Sequence, residues 1–375
     1  ANKCCARNVG VMKKVAIVLL ALIAIGVTPA DAATPVVRIT DKPHKDFEGG
    51  FRDNELATLI TPEGDLGKIV FNSTSSRKTW VIDPALIDEI ADMADGYSIK
   101  GEEEKDGQVA AQNWLSALKF STLSNSVIAL PYGNPDQSLA KRLAPSELRF
   151  YSSYGKQQLE LQLGRPVVAE NGWSKGVSRL SSPFKALYTD NRRMLTGLST
   201  ISTAPEITAL RARLGTVMNP ALDEEERVYF SYSAARAVQA MTAKLRVIPG
   251  RYQLTSTTAK LPVTLVNSFD TPTVVNLSLI PLNSRVQIEN VNNITLAAKS
   301  RQQLTLEVNV IAPGSVLVNA QFMNSEGQLV GEQSELALSA TIIDSRVAWF
   351  TTAAAVLLFL GAITQSVRRV RKGRQ

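Results

Sequence analysis

The side chains suited to chemistry stand where short apolar runs end. In VIDPAL, Asp83 closes such a run ahead of a proline. In VIALPYGNPD, Tyr132, Asn134 and Asp136 hold the same place, and in VVAENGW Glu170 stands three residues before Trp173. Asp83, Asp136 and Glu170 are the candidate catalytic carboxyls, because glycosidic hydrolysis needs two carboxyls facing each other across the bond at about 5–10 Å. Tyr132, Asn134 and Trp173 are the ligand-binding candidates, offering aromatic platforms and an orienting amide. The same residue types also have a purely structural reading. Asp83 and Asp136 suit helix N-caps, Pro84 suits the first helical position, where its missing N–H costs nothing, and Glu170 suits a strand end before an Asn-Gly turn.

Other chemistries are narrowed by composition. His44 is the single histidine and Cys4 and Cys5 the only cysteines, so zinc sites built on several His or Cys ligands cannot form. His44, in DKPHKDFEGG, reads as a surface or turn residue. No G-x-S-x-G elbow and no glycine-rich phosphate loop is present. The expectation is therefore no metal and no cofactor.

The elements around these residues alternate. TWVID, SVIALP and RPVVAENGW read as strands, as do LGKIVF (66–71) and ELRFY (147–151); NELATLI, PALIDEIADMA, GQVAAQNWLSALKF and DQSLAKRLA carry apolar residues at helical spacing. Strands alternating with helices imply a mainly parallel sheet, whose carboxyl edge is where ligands bind. The segment 200–248 is helical in character, and it either completes the first domain or packs on the second. From about 249 the chain turns to short alternating strands rich in Val, Thr, Leu and Asn, the pattern of an antiparallel sandwich.

The ends carry targeting signals. Lys13 and Lys14, an apolar stretch from Val15 to Val27 and Ala30-Asp31-Ala32 have the three parts of a secretory signal, with Met12 as the natural start and Ala1 to Val11 as an N-terminal extension. Both cysteines then leave with the signal. Val347 to Thr364 is uncharged and about 27 Å long as a helix, enough for a bilayer core, and a basic tail follows it. The formal net charge of +7 is concentrated in these ends. Residues 1–32 hold four cations and one acid, the last eleven hold five cations, and about −1 remains between them, so a nucleic-acid partner is excluded.

The stretches DKPHKDFEGGFRDNELATLI, TWVIDPALIDEIADMADGYSI, NWLSALKF, VIALPYGNPDQSLAKRL and LPVTLVNSFDTPTVVNLSLIPL, followed by an apolar helix and basic tail, resemble an uncharacterised family. Its members are secreted, membrane-anchored actinobacterial proteins often encoded beside the lipid II flippase. The resemblance implies a central region like the β/α barrels of glycoside hydrolases and polysaccharide deacetylases. This chain departs from it by being shorter than typical members, by an abbreviated barrel half after Trp173, and by not having all the histidines and aspartates that deacetylases use for metal.

The expected architecture is multi-domain: an N-terminal extension and signal (1–32), an α/β domain forming a partial or degenerate β/α barrel (33–248), an all-β immunoglobulin-like sandwich (249–343), one transmembrane helix (347–364) and a basic cytoplasmic tail (365–375). The expected location is the cell membrane, single-pass, with the ectodomain outside. The expected function is non-catalytic: binding of cell-wall glycan, or of a membrane partner such as a transporter or flippase. The alternative is a metal-independent glycoside hydrolase using two of the three carboxyls.

Overall fold

The computed structural model describes residues 34–73, 77–99, 101–341 and 345–372. The expected signal and both cysteines lie outside the described residues.

The chain opens with β1 (Val36–Ile39), α1 (Glu55–Leu59), α2 (Asp65–Phe71), β2 (Thr79–Ile82), α3 (Pro84–Asp95), the hairpin β3 (Tyr97–Ile99) and β4 (Glu102–Glu104), α4 (Asp106–Thr122), β5 (Ser126–Ala129), α5 (Gln137–Leu143), α6 (Pro145–Leu163) and β6 (Val168–Ala169). Strands β1, β2, β5 and β6 form one parallel sheet in that order, with Ile39 opposite Ile82, Ile82 opposite Ala129, and Ala129 opposite Ala169. One face buries Ile39, Trp80, Ile82 and Val127 against Leu86 and Ile90 of α3 and Trp114 and Leu118 of α4. Burial of each such side chain contributes about 1.5–3 kcal/mol.

This sheet corrects the expected barrel. A barrel must close its last strand onto its first, whereas here β1 and the two-residue β6 are the edges of an open sheet of four strands. The reason lies after β6. The chain makes a 3-10 turn (Asn171–Trp173) and then supplies α7 (Ser182–Ile201), α8 (Pro205–Arg213), a second 3-10 turn (Leu214–Met218) and α9 (Glu224–Thr242), with no strand between. Two local strand readings are overturned as well. LGKIVF lies in α2, where Leu66 and Val70 share the buried face one turn apart. ELRFY lies in α6, which starts at Pro145 and buries Leu148, Tyr151, Gly155 and Leu159, a helical stripe longer than the five residues first read.

The rest is β: β7 (Leu245–Val247), β8 (Gly250–Leu254), β9 (Thr258–Asn267), β10 (Thr273–Pro281), β11 (Val286–Ile288), β12 (Val291–Leu296), β13 (Ser300–Val310), β14 (Gly314–Met323) and β15 (Leu329–Ala340). β7 joins two layers: one runs β11-β13-β9-β7, the other β15-β14-β10-β12 with β8 added on β15. Burial alternates along β13 and β14, as a two-layer sandwich requires. The sandwich core is continuous with the helices, since Leu195 and Leu198 of α7 and Phe230 and Val238 of α9 join Leu277, Phe322 and Leu336 in one cluster.

The last helix, α10, runs Ser345–Lys372. Among the described residues no helix is long and apolar enough to cross a membrane, which overturns the expected transmembrane helix at Val347 to Thr364. Threonines 351, 352 and 364 and Gly361 dilute that run.

Candidate functional site

The parallel sheet brings the predicted loops to one edge. Asp83 follows β2 and caps α3, its Oδ1 accepting from Ala85 N and Gly133 N, both at 3.0 Å. Asp136 caps α5, its Oδ1 accepting from Ser138 N at 2.8 Å and Leu139 N at 3.2 Å, and its Oδ2 from Ser178 N at 2.7 Å. Both carboxyls are sealed, at 2 % and 4 % exposure. Burial raises the Asp83 pKa to about 8, against the two N–H bonds that favour its charge; the Glu89 and Asp88 charges add to the rise.

The seal is the second 3-10 turn. Gly133 has φ +77°, and a Cβ there would stand 2.6 Å from Thr216 Cγ2, so only glycine lets the loop meet this turn. Asn219 Nδ2 donates to Gly133 O at 3.2 Å and to Asp41 O at 3.0 Å, and Asp136 N donates to Met218 O at 2.9 Å. Arg227 lies buried behind, donating to Leu222 O and Ser178 Oγ.

Tyr132 is buried, its OH donating to Asp88 Oδ2 at 3.0 Å and its ring standing edge-on to Tyr154. Burial lifts the Asp88 carboxyl to about 6 despite hydrogen bonds from Gln162 and Tyr132. Asn134, at φ +44°, is buried with its Oδ1 unpartnered. Glu170 and Trp173 stand apart at β6: exposed Glu170 accepts from Trp173 Nε1 at 2.7 Å, and the half-buried indole packs on Val81, Ile128 and Leu130. Trp173 O accepts from Arg38 Nη1 at 2.8 Å. The edge thus gathers Asp83, Tyr132, Asn134 and Asp136 into one bonded joint, with Glu170 and Trp173 outside it.

Residues not singled out for chemistry complete that edge. After β1, His44 is 3 % exposed; its N donates to Glu89 Oε2 at 2.9 Å, and its Nε2 lies 3.3 Å from Asp41 Oδ2. Burial opposes the imidazolium, but the hydrogen bond to Asp41 and the Glu89, Asp41 and Glu55 charges outweigh it and raise the His44 pKa. Lys42 Nζ bridges Glu226 and Glu55, each at 2.8 Å. A ring nitrogen of His44 and carboxylate oxygens of Asp53 and Glu55 lie within 4.8 Å of one another. The available signal was the lone histidine amid acids at positions 41, 46, 48, 53 and 55.

Open polar surface lies on the sandwich. A cleft of about 690 Å³ runs between β8, the turn after β10, β14 and β15, lined among others by Arg251, Tyr252, Gln253, Asn283, Leu317 and Ser339. The Tyr252 ring lies across Gly250, where a Cβ would come within 2.5 Å of it, and its OH donates to Pro262 O at 3.0 Å. The aromatic wall is therefore held in place without a ligand.

A family model described as "Family of unknown function (DUF6049)" matches residues 168–375. No curated protein matches. Among solved structures, the chain is similar to WR4, an MSP family member of C. elegans (12 % identity, 26 % of this chain and 99 % of that one, TM-score 0.22). It is also similar to alpha-2-macroglobulin from Escherichia coli (14 % identity, 26 % and 16 %, TM-score 0.21) and to the CARDB domain of a Pyrococcus furiosus protein (14 % identity, 27 % and 92 %, TM-score 0.21).

Proposed function

The chain belongs to the DUF6049 family of unknown function, and from its own geometry we propose that it is a non-catalytic protein of the extracytoplasmic cell envelope that binds glycan on the outer face of its sandwich. The observation that carries this reading is the cleft beside β8. It combines a fixed aromatic ring (Tyr252), an exposed amide that can donate and accept (Gln253), a hydroxyl (Ser339) and a guanidinium (Arg251), whereas the Asn283 amide is already bonded to Ser315 O and Arg285 N. Sugars present hydroxyls on an apolar ring face, and such a wall meets both kinds of surface.

The non-catalytic half is supported by the bonding of the carboxyls. A general acid or nucleophile must reach the scissile bond of a bound substrate, whereas Asp83 and Asp136 are 2 % and 4 % exposed and hold backbone N–H groups inside a sealed joint. Gln253→Ala combined with Arg251→Ala should weaken binding of the full chain to purified cell-wall polysaccharide at least tenfold, measured by co-sedimentation. Equal binding by the double variant, or hydrolysis of the polysaccharide that is lost in Asp83→Asn, would reject the reading. Capture of a membrane transporter instead of glycan would transfer the cleft to a protein partner.

A further inference from the structure

We propose that His44, Asp53 and Glu55 form a site for a divalent cation of the zinc class, at the end of β1 and remote from the sandwich cleft. His44 Nε2 and Asp41 Oδ2 stand 3.3 Å apart. Asp41 thus orients the ring by a hydrogen bond, the part that a carboxylate outside the ligand set plays in known sites. Donor atoms of His44, Asp53 and Glu55 lie within 4.8 Å of one another. Asp53 and Glu55 are exposed, so rotation of their side chains closes the remaining distance.

Two further observations point to a cation. The first is the imidazole itself, the most common nitrogen ligand of such metals, buried at 3 % exposure in a loop whose His44 N–H is bonded to buried Glu89. The second is charge. The Glu89, Asp41 and Glu55 charges act on the ring and Asp53 stands in the same donor cluster, while Lys42 is shared between Glu55 and Glu226. Lys45, the next cation along, is drawn to Asp92 at 2.6 Å. One nitrogen with two carboxylates suits a borderline metal and fits calcium poorly, since calcium takes six to eight oxygens.

Bound there, the ion ties the loop after β1 to α1 beside α9, whose Glu226 already shares Lys42 with Glu55. The test is titration of the full, chelator-treated chain with Zn²⁺ by calorimetry, and with Co²⁺ by visible absorption. The expected result is one saturable Zn²⁺ site, at least a hundredfold preference over Ca²⁺, and a four-coordinate Co²⁺ band. Kd should weaken at least tenfold in His44→Gln and in Asp53→Asn. Asp53 is exposed, so its variant folds and decides the matter even where His44→Gln does not. No saturable Zn²⁺ binding, or an unchanged Kd in Asp53→Asn, would overturn the proposal.

Discussion

The edge of the parallel sheet and the outer face of the sandwich carry similar polar side chains in opposite circumstances. At the edge, Asp83 and Asp136 each accept two or three backbone N–H bonds, and Asn219 joins two loops by its amide. On the sandwich, Arg251 and Gln253 stand exposed beside an aromatic ring already held in place. Residue type alone therefore does not mark a site. A polar group already bonded by the fold is not free for a ligand, so the substitutions that damage folding and those that damage binding should fall on different surfaces.

The largest loss of stability is expected where the edge's helical cover holds a buried ion pair. Glu147, 1 % exposed, accepts two bonds of 2.8 Å from the Arg211 guanidinium, which also stacks over Phe150. Glu147→Ala leaves that guanidinium without its partner and should cost about 3–5 kcal/mol in denaturant unfolding, with polysaccharide binding by the folded fraction unchanged. Gly133→Ala comes next, at about 1–3 kcal/mol, because it adds both a strained φ and a contact with Thr216. A harmless Gly133→Ala would mean the joint is slack and the comparison fails.

Asp136→Ala should cost about 0.5–2 kcal/mol through the lost cap, with no effect on binding. Loss of binding at full stability would make Asp136 a ligand group and reverse the assignment of the two faces. Asp83 gives a pH signature. Its folded pKa of about 8 lies above the usual carboxylate value, so the folded chain keeps a proton that the unfolded chain releases. The stability linked to that proton is present below about pH 4 and is lost as pH rises through about 8, at no more than about 1.4 kcal/mol per pH unit. In Asp83→Asn that contribution to the slope should vanish, while an identical slope in the variant would assign the titration elsewhere. The smallest stability effect belongs to Gln253→Ala, within about 0.5 kcal/mol.

The sequence was most legible where side-chain period and capping agreed. Asp83-Pro84 marks the start of α3, and the alternation along β13 and β14 marks strands of the sandwich. It misled where a short apolar window sat inside a longer helical stripe, as in 66–71 and 147–151. Nor could it reveal that the turn 214–218 closes over the loop 132–136, because that contact is set by packing between segments some eighty residues apart. His44 was misread for the same reason: its burial depends on Glu89, forty-five residues away.

The loop after β1 makes its bonds late in the chain. Lys42 meets Glu226 across 184 residues, Phe47 N meets Ser233 Oγ across 186, and Glu48 meets Arg236 across 188. At about 5–20 residues per second of synthesis, that separation means roughly 10–40 s between the emergence of β1 and that of α9. Throughout that interval the loop is without its α9 partners, and such long-range closures slow folding. The strand β1 can pair with β2 some forty residues after it is made, but the loop that follows β1 is among the last parts of the described fold to be finished, and it stays open to chaperones and proteases in the meantime.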